Sequence, residues 1–168
     1  MIIAIISVVI SFLLDGFMSM HIAYSLTNPS IFSTIYTLIA LFVVYPYFGN
    51  EKKYIYLLLF SALFFDIVYT STILLNVVIF LIIYFVVKKL NFLLPNNLVM
   101  SNIISIIAIS LYHVLTFILL TLVKYSVYDT SLLLTILTHS IISTIIYTTV
   151  LYLILNKIYE FLHIKQIK

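Results

Sequence analysis

Polar punctuation divides this chain into six long apolar blocks, at 2–26, 31–48, 54–69, 73–87, 98–123 and 131–155. Between them lie Thr27-Asn28-Pro29-Ser30, Gly49-Asn50-Glu51-Lys52-Lys53, a short turn at Tyr69-Thr70-Ser71-Thr72, the stretch from Lys88-Lys89 to Pro95-Asn96-Asn97, and the segment 124–130. None of these connectors is long enough for a second domain, so residues 1–168 form one. The third and fourth blocks carry the decisive argument. The 34 residues 54–87 contain a single charge, Asp66, and are bracketed by Lys52-Lys53 and Lys88-Lys89. One helix of that length would measure about 50 Å, well beyond the ~30 Å hydrocarbon core of a bilayer. The stretch must cross twice, and a hairpin returns both lysine pairs to one face, as the positive-inside rule requires.

Composition narrows the class. The chain is 65% hydrophobic and 8% charged, with mean hydropathy +1.30, which leaves too few polar residues to cover a water-soluble globule. It reads as an all-α integral membrane protein, a bundle of six transmembrane helices with a short hairpin of the third and fourth. The net charge of +3 does not point to nucleic acid, because the eight basic residues are all Lys and stand at block ends, where they anchor topology and meet anionic lipid. With no Cys, disulfide and thiolate chemistry are excluded. The N-terminal run lacks the basic region and small-residue cleavage site of a signal peptide, so it is expected to be a retained helix.

With the N-terminus cytoplasmic, Lys52, Lys53, Lys88, Lys89, Lys157, Lys165 and Lys168 fall inside and only Lys124 outside. Tyr45, Tyr47, Tyr54, Tyr56, Tyr125, Tyr128 and Tyr159 cluster at block ends, as rings seated among headgroups would. The short third and fourth blocks predict a shallow outer hairpin beside longer, tilted helices. The tail 156–168 alternates Ile158, Phe161 and Leu162 with Lys157, Glu160, Lys165 and Gln166, which suits an interfacial cytoplasmic helix.

Few residues could carry chemistry. Asp15 lies mid-span and must face protein or water; it is a proton site, a buried partner bond, or a protonated or hydrogen-bonded side chain that fixes packing. Asp66 shares a helical face with Ala62 and Tyr69, so a small residue admits a neighbouring backbone while the carboxylate accepts a hydrogen bond, a helix-pairing device. His113 and His139 lie inside the fifth and sixth blocks and could meet, but two histidines are short of a metal set, and packing is the simpler role. The sixth block carries Ser131, Thr135, His139, Ser143 and Tyr147 in one row and Ser140, Thr144, Thr148 and Tyr152 in another. These rows suit a packed central helix or a partner-binding face, or hydroxyls bonded back to their own backbone. No nucleotide, hydrolase or metalloprotease motif is present, Arg is absent, and the two glycines, Gly16 and Gly49, cannot form a phosphate loop. Neither an enzyme nor a cofactor is expected; a membrane enzyme would require Asp15, Asp66, His113 and His139 to converge.

The segment KKYIYLLLFSALFFDIVYTSTILLN, residues 52–76, resembles the most distinctive part of the rod shape-determining protein MreD family. In that family basic residues precede a helix patterned small-x-x-x-Asp, followed by a short turn and a hydrophobic return helix. Ala62 and Asp66 match the small residue and the acid, Asp66 to Ser71 is similar to the Gram-positive version, and Asn76 matches a frequent Asn after the turn. Pro29 opening the second block and the basic tail also fit. Two positions depart, since the family often has Gly where this chain has Leu58 and Leu74. The resemblance implies a non-enzymatic, multi-pass protein of the bacterial cytoplasmic membrane with both termini cytoplasmic. It would act in lateral peptidoglycan synthesis and cell shape, partnering the bitopic protein MreC, the peptidoglycan glycosyltransferase and transpeptidase of elongation, and MreB filaments where these exist. The competing expectation is a substrate-binding subunit of an energy-coupling-factor vitamin transporter, similar in size and layout. Such subunits usually show Ala-x-x-x-Ala in their first helix, where this chain has only Ala4 and Ala23.

Overall fold

The computed structural model describes residues 2–22, 34–48, 51–70, 74–122 and 130–162. Six helices follow one another: α1 Ile2–Ile22, α2 Tyr36–Val44 closing in a 3-10 turn Tyr45–Tyr47, α3 Glu51–Phe65 continuing into a π turn Asp66–Thr70, α4 Leu75–Leu93, α5 Leu98–Leu122 and α6 Thr130–Phe161. There is no strand among the described residues, and the protein is an all-α membrane bundle. Four stretches, Glu51–Thr70, Leu75–Leu93, Leu98–Leu119 and Leu133–Phe161, are long and apolar enough to cross a bilayer, while Ile2–Met18 and Tyr36–Tyr47 are apolar but shorter.

The centre of the bundle is α2. Every residue from Tyr36 to Val44 is buried, and α1, α4, α5 and α6 all pack against it. A helix apolar on all sides is expected to be surrounded. The sequence expectation of α6 as a central helix is thereby corrected: α6 buries one stripe, Ser140, Thr144, Thr148, Leu151, Leu155 and Tyr159, and leaves Leu134, Ile142 and Ile146 exposed. Its inward stripe is small near the middle, and α5, which packs against it, has small buried residues of its own at Ser101, Ser105 and Ala108.

The hairpin of α3 and α4 forms as expected but runs further than the blocks 54–69 and 73–87. Its helical stretches are 20 and 19 residues long, because the helices continue through both lysine pairs, still shorter than the 25 of α5 and 32 of α6. Lysine is a good helix former and extends its charge beyond the apolar zone on a long stem, so the charge does not end the helix. Glu51 at the start of α3 forms an ion pair with Lys88 of α4, and Tyr84 donates to the same Glu51 oxygen at 2.6 Å. Those contacts hold the two lysine pairs at one end of the hairpin. α6 likewise passes the expected boundary at residue 155 without a break; Asn156 donates to Glu160 one turn on, at 2.7 Å. Residues 163–168 of the expected tail lie outside the described residues.

Tyrosines at the lysine end do not form the expected lipid-facing belt. Tyr47, Tyr54 and Tyr159 are buried, Tyr54 donates to the Leu41 carbonyl at 2.9 Å, and Tyr47 stacks on Tyr159 with ring centres 4.1 Å apart. Tyr45, Tyr54 and Tyr84 pack edge-on and tilted against one another. Rings with polar tips fill the gaps where α2, α3, α4 and α6 converge, and only Tyr56 of this group is turned outward. Tyr125 and Tyr128 lie outside the described residues.

Candidate functional site

The chemistry of this chain is concentrated in two buried carboxylates, each of which closes the N-terminus of the helix that follows its own. Asp66, 1% exposed, begins the π turn that widens the end of α3. One of its oxygens accepts from the Asn76 backbone N–H at 3.0 Å, the Asn76 Nδ2 at 2.9 Å and the Thr70 hydroxyl at 3.3 Å. The other accepts from the Asn76 N–H at 3.1 Å and the Val77 N–H at 3.3 Å. Asn76 and Val77 lie in the first turn of α4, where backbone donors have no partner inside the helix. The cap position of α4 is Leu74, which has no side-chain oxygen to offer, so a carboxylate reaching across from α3 takes the role a Ser or Asp at the cap would play.

The backbone around the turn is arranged to make this possible. Leu74 adopts φ 66, ψ 2, the left-handed region that ordinary side chains enter at a cost of about 1–2 kcal/mol. This abrupt reversal starts α4 beside the end of α3. Within the turn, Asn76 is held on both faces of its amide: Nδ2 also donates to the Thr70 hydroxyl at 3.2 Å, and Oδ1 accepts from Tyr112 of α5 at 2.7 Å. Asp66, Asn76 and Tyr112 are all buried, and the chain of bonds ties α3, α4 and α5 together. Ala62, fully buried one turn before Asp66, stands where the small residue was expected.

Asp15 repeats the arrangement one hairpin earlier. Its two oxygens accept from the backbone N–H groups of Tyr36 and Thr37, each at 2.8 Å, and from the Thr37 hydroxyl. Tyr36 and Thr37 open α2, whose own cap residue, Ile35, supplies no side-chain bond. Of the roles open to Asp15, the geometry matches the hydrogen-bonded side chain that fixes packing. Counted along their helices, Asp15 stands about 20 Å from the start of α1 and Asp66 about 23 Å from the start of α3, so each cap lies well along the helix that carries it. Between the two caps sits Tyr69, which donates to the Phe12 carbonyl at 2.6 Å and packs on Phe12 and Phe65 at 4.9 Å each.

The remaining candidates are dispersed. His139 is exposed on α6 and its Nδ1 lies 2.8 Å from the Thr135 carbonyl of its own helix, which makes that nitrogen the donor. His113 is half-buried on α5 with its ring edge-on to Tyr112. There is no group of three or more His, Asp or Glu placed to hold a metal among the described residues. Of the two rows on α6, the first opens outward at Ser131, Thr135 and His139, whereas Ser140, Thr144 and Thr148 of the second are buried. Hydroxyls of Thr135, Thr138, Ser140, Ser143 and Thr144 bond back to carbonyls of α6, the self-bonded alternative. Residues 143–149 of α6 add bonds to other parts of the chain: Tyr147 to Ser11 of α1 at 2.6 Å, Ser143 to Thr34 just before α2, and Thr149 to Asn102 of α5 at 3.2 Å. Sequence reasoning missed Tyr112, Thr37 and Gly16; only their polarity or scarcity in an apolar block could have marked them.

What the two carboxylates can do follows from their neighbours. Among the described residues each is bonded to donors, with no second acid or histidine, so each accepts hydrogen bonds and joins helices. No protein family, no curated protein and no solved structure matches this chain.

Proposed function

We propose that this chain is a non-enzymatic membrane scaffold of the bacterial cell-elongation machinery, of the MreD kind, that binds an MreC-like bitopic protein and the wall synthases through its helices. The observation that carries the reading is the Asp66 cap. Of the residues on which the resemblance rests, Asp66 and Asn76 join α3 to α4 and Ala62 is buried one turn before the acid, which among the described residues is bonded to donors of the helix that follows. The departure at position 74 adds to it, because the family often has Gly there and the Leu74 backbone lies in the left-handed region that Gly enters freely. Position 58 has no such account: Leu58 is simply buried in the core.

In this reading the protein sits in the cytoplasmic membrane with six passes and both termini inside, and its lysine end meets anionic headgroups. Little of its mass lies outside the membrane, which suits a protein that acts by holding others. The test is to capture partners with tagged variants. Asp66→Ala should lose the bitopic protein and the synthases and impair elongation, while Asp66→Asn should retain both. Loss of elongation in Asp66→Asn with partner capture intact would mean that the carboxylate has an ionic or protonic task, and the scaffold reading would fall.

A further inference from the structure

The two capped hairpins touch in several places, with Tyr54 bonded to the Leu41 carbonyl and Tyr45 packed on Tyr54 and Tyr84 at the lysine end, but near the two caps they meet through Tyr69, and there the geometry is unusually tight. Gly16 follows the capping Asp15 directly, and Tyr69 lies three residues beyond the capping Asp66. A methyl group at Gly16 would come within 2.7 Å of the Tyr69 hydroxyl oxygen, while the nearest ring carbons would remain at an ordinary 3.5 Å. The hydroxyl therefore occupies the space that a side chain at position 16 would need. It reaches over that notch to donate to the Phe12 carbonyl at 2.6 Å, with its ring held between Phe12 and Phe65. The π turn Asp66–Thr70 contains Tyr69 and so sets its direction toward α1.

We infer that Tyr69 seated in the Gly16 notch is a latch that couples the Asp15 cap of α2 to the Asp66 cap of α4, so that the two hairpins yield or hold as one body. A partner that loosens or braces one hairpin is thereby felt at the other. The physical basis is the placement of the contact. Phe12 and Gly16 flank Asp15 on α1, so any shift of Tyr69 moves the helix segment that positions the carboxylate at Tyr36 and Thr37. The inference stands apart from the scaffold reading, because it is read on the purified chain without partners.

The test is a double-variant cycle on the full chain in detergent, following the unfolding midpoint. Gly16→Ala overpacks the notch and should lower the midpoint by about 5 °C. Tyr69→Phe loses one hydrogen bond and should lower it by about 3 °C. Because the clash is with the hydroxyl alone, the double variant should unfold no lower than Tyr69→Phe by itself. Additive losses would overturn the latch. If Gly16→Ala does not accumulate, recovery of folded protein on adding Tyr69→Phe is the expected result, and a double variant that also fails to accumulate overturns it. Coupling is read separately by amide exchange. Asp66→Ala should speed exchange at Tyr36 and Thr37 by about tenfold, and by no more than about twofold in the Tyr69→Phe background. Equal acceleration in both backgrounds would show that the caps do not communicate through Tyr69.

Discussion

Removing the Asp66 carboxylate separates a structural role from a chemical one. In Asp66→Ala, the Asn76 N–H and the Val77 N–H lose their acceptor, and the Asn76 Nδ2 loses one of its two, in a site where Asp66 and Asn76 are both almost fully buried. Each stranded buried donor costs about 1–3 kcal/mol, and losing a helix cap costs about 0.5–2 kcal/mol on its own scale. These overlap, since the cap is made of the same bonds, so about 3–5 kcal/mol is the expected loss. In Asp66→Asn, an amide oxygen in the position that now accepts from the Asn76 N–H, the Asn76 Nδ2 and Thr70 keeps those bonds; the amide nitrogen in the other position surrenders the 3.1 Å and 3.3 Å contacts from the Asn76 and Val77 N–H groups, which leaves Val77 without its acceptor. That predicts a loss of about 1–2 kcal/mol. The assay is reversible unfolding of purified variants in mixed micelles, with exchange rates at Asn76 and Val77 as a local reading. An Asn variant as unstable as the Ala variant would refute the reasoning, because it would mean that charge rather than acceptor geometry holds α4.

Three further outcomes follow. Leu74→Gly should stabilise the chain by about 0.5–1 kcal/mol, since relief of the left-handed backbone, about 1–2 kcal/mol, exceeds the roughly 0.5–1 kcal/mol of added chain entropy; Leu74→Ala should bring no gain, and equal unfolding midpoints for all three would sink the strain argument. Because the chain has no Cys, single cysteines report topology without background. A Cys at position 52 should resist an impermeant external reagent in intact cells and one at position 128 should react; labelling at 52 would reject the six-pass arrangement. A water-soluble vitamin at 100 times the dissociation constant of a specific site would add about 2.7 kcal/mol of stability, and no such compound should do so here. A reproducible shift with one of them would favour the transporter-subunit alternative.

How far the sequence could be read differs from residue to residue, for physical reasons. The hairpin of α3 and α4 was legible because a charge-free stretch too long for one crossing and bracketed by lysines has few solutions. Asp66 was legible as an interacting residue through its polarity in an apolar run, and Asn76 through the resemblance. The π turn was not, because Asp66–Thr70 contains no residue that forces an extra residue into a helical turn. The central place of α2 was hidden by the membrane itself. In water a surrounded helix stands out by being apolar on all sides, but here the lipid-facing helices are apolar too, so inside and outside carry the same letters. Asp15 was marked as a side chain that must face protein, yet its target lies 21 residues on, beyond the reach of spacing arguments. The tyrosines misled because a ring with a polar tip serves a headgroup belt and a crowded helix junction equally well. The α6 rows misled in the same way, since a hydroxyl can bond its own backbone while facing outward.

The measurement that bears most directly on the central claim is co-purification of a tagged wild-type chain from native membranes after gentle solubilisation, with the captured proteins identified by mass spectrometry. The scaffold account predicts a bitopic MreC-like protein together with the glycosyltransferase and transpeptidase of wall elongation. Capture of transporter ATPases in their place, or of no membrane partner at all, would contradict it.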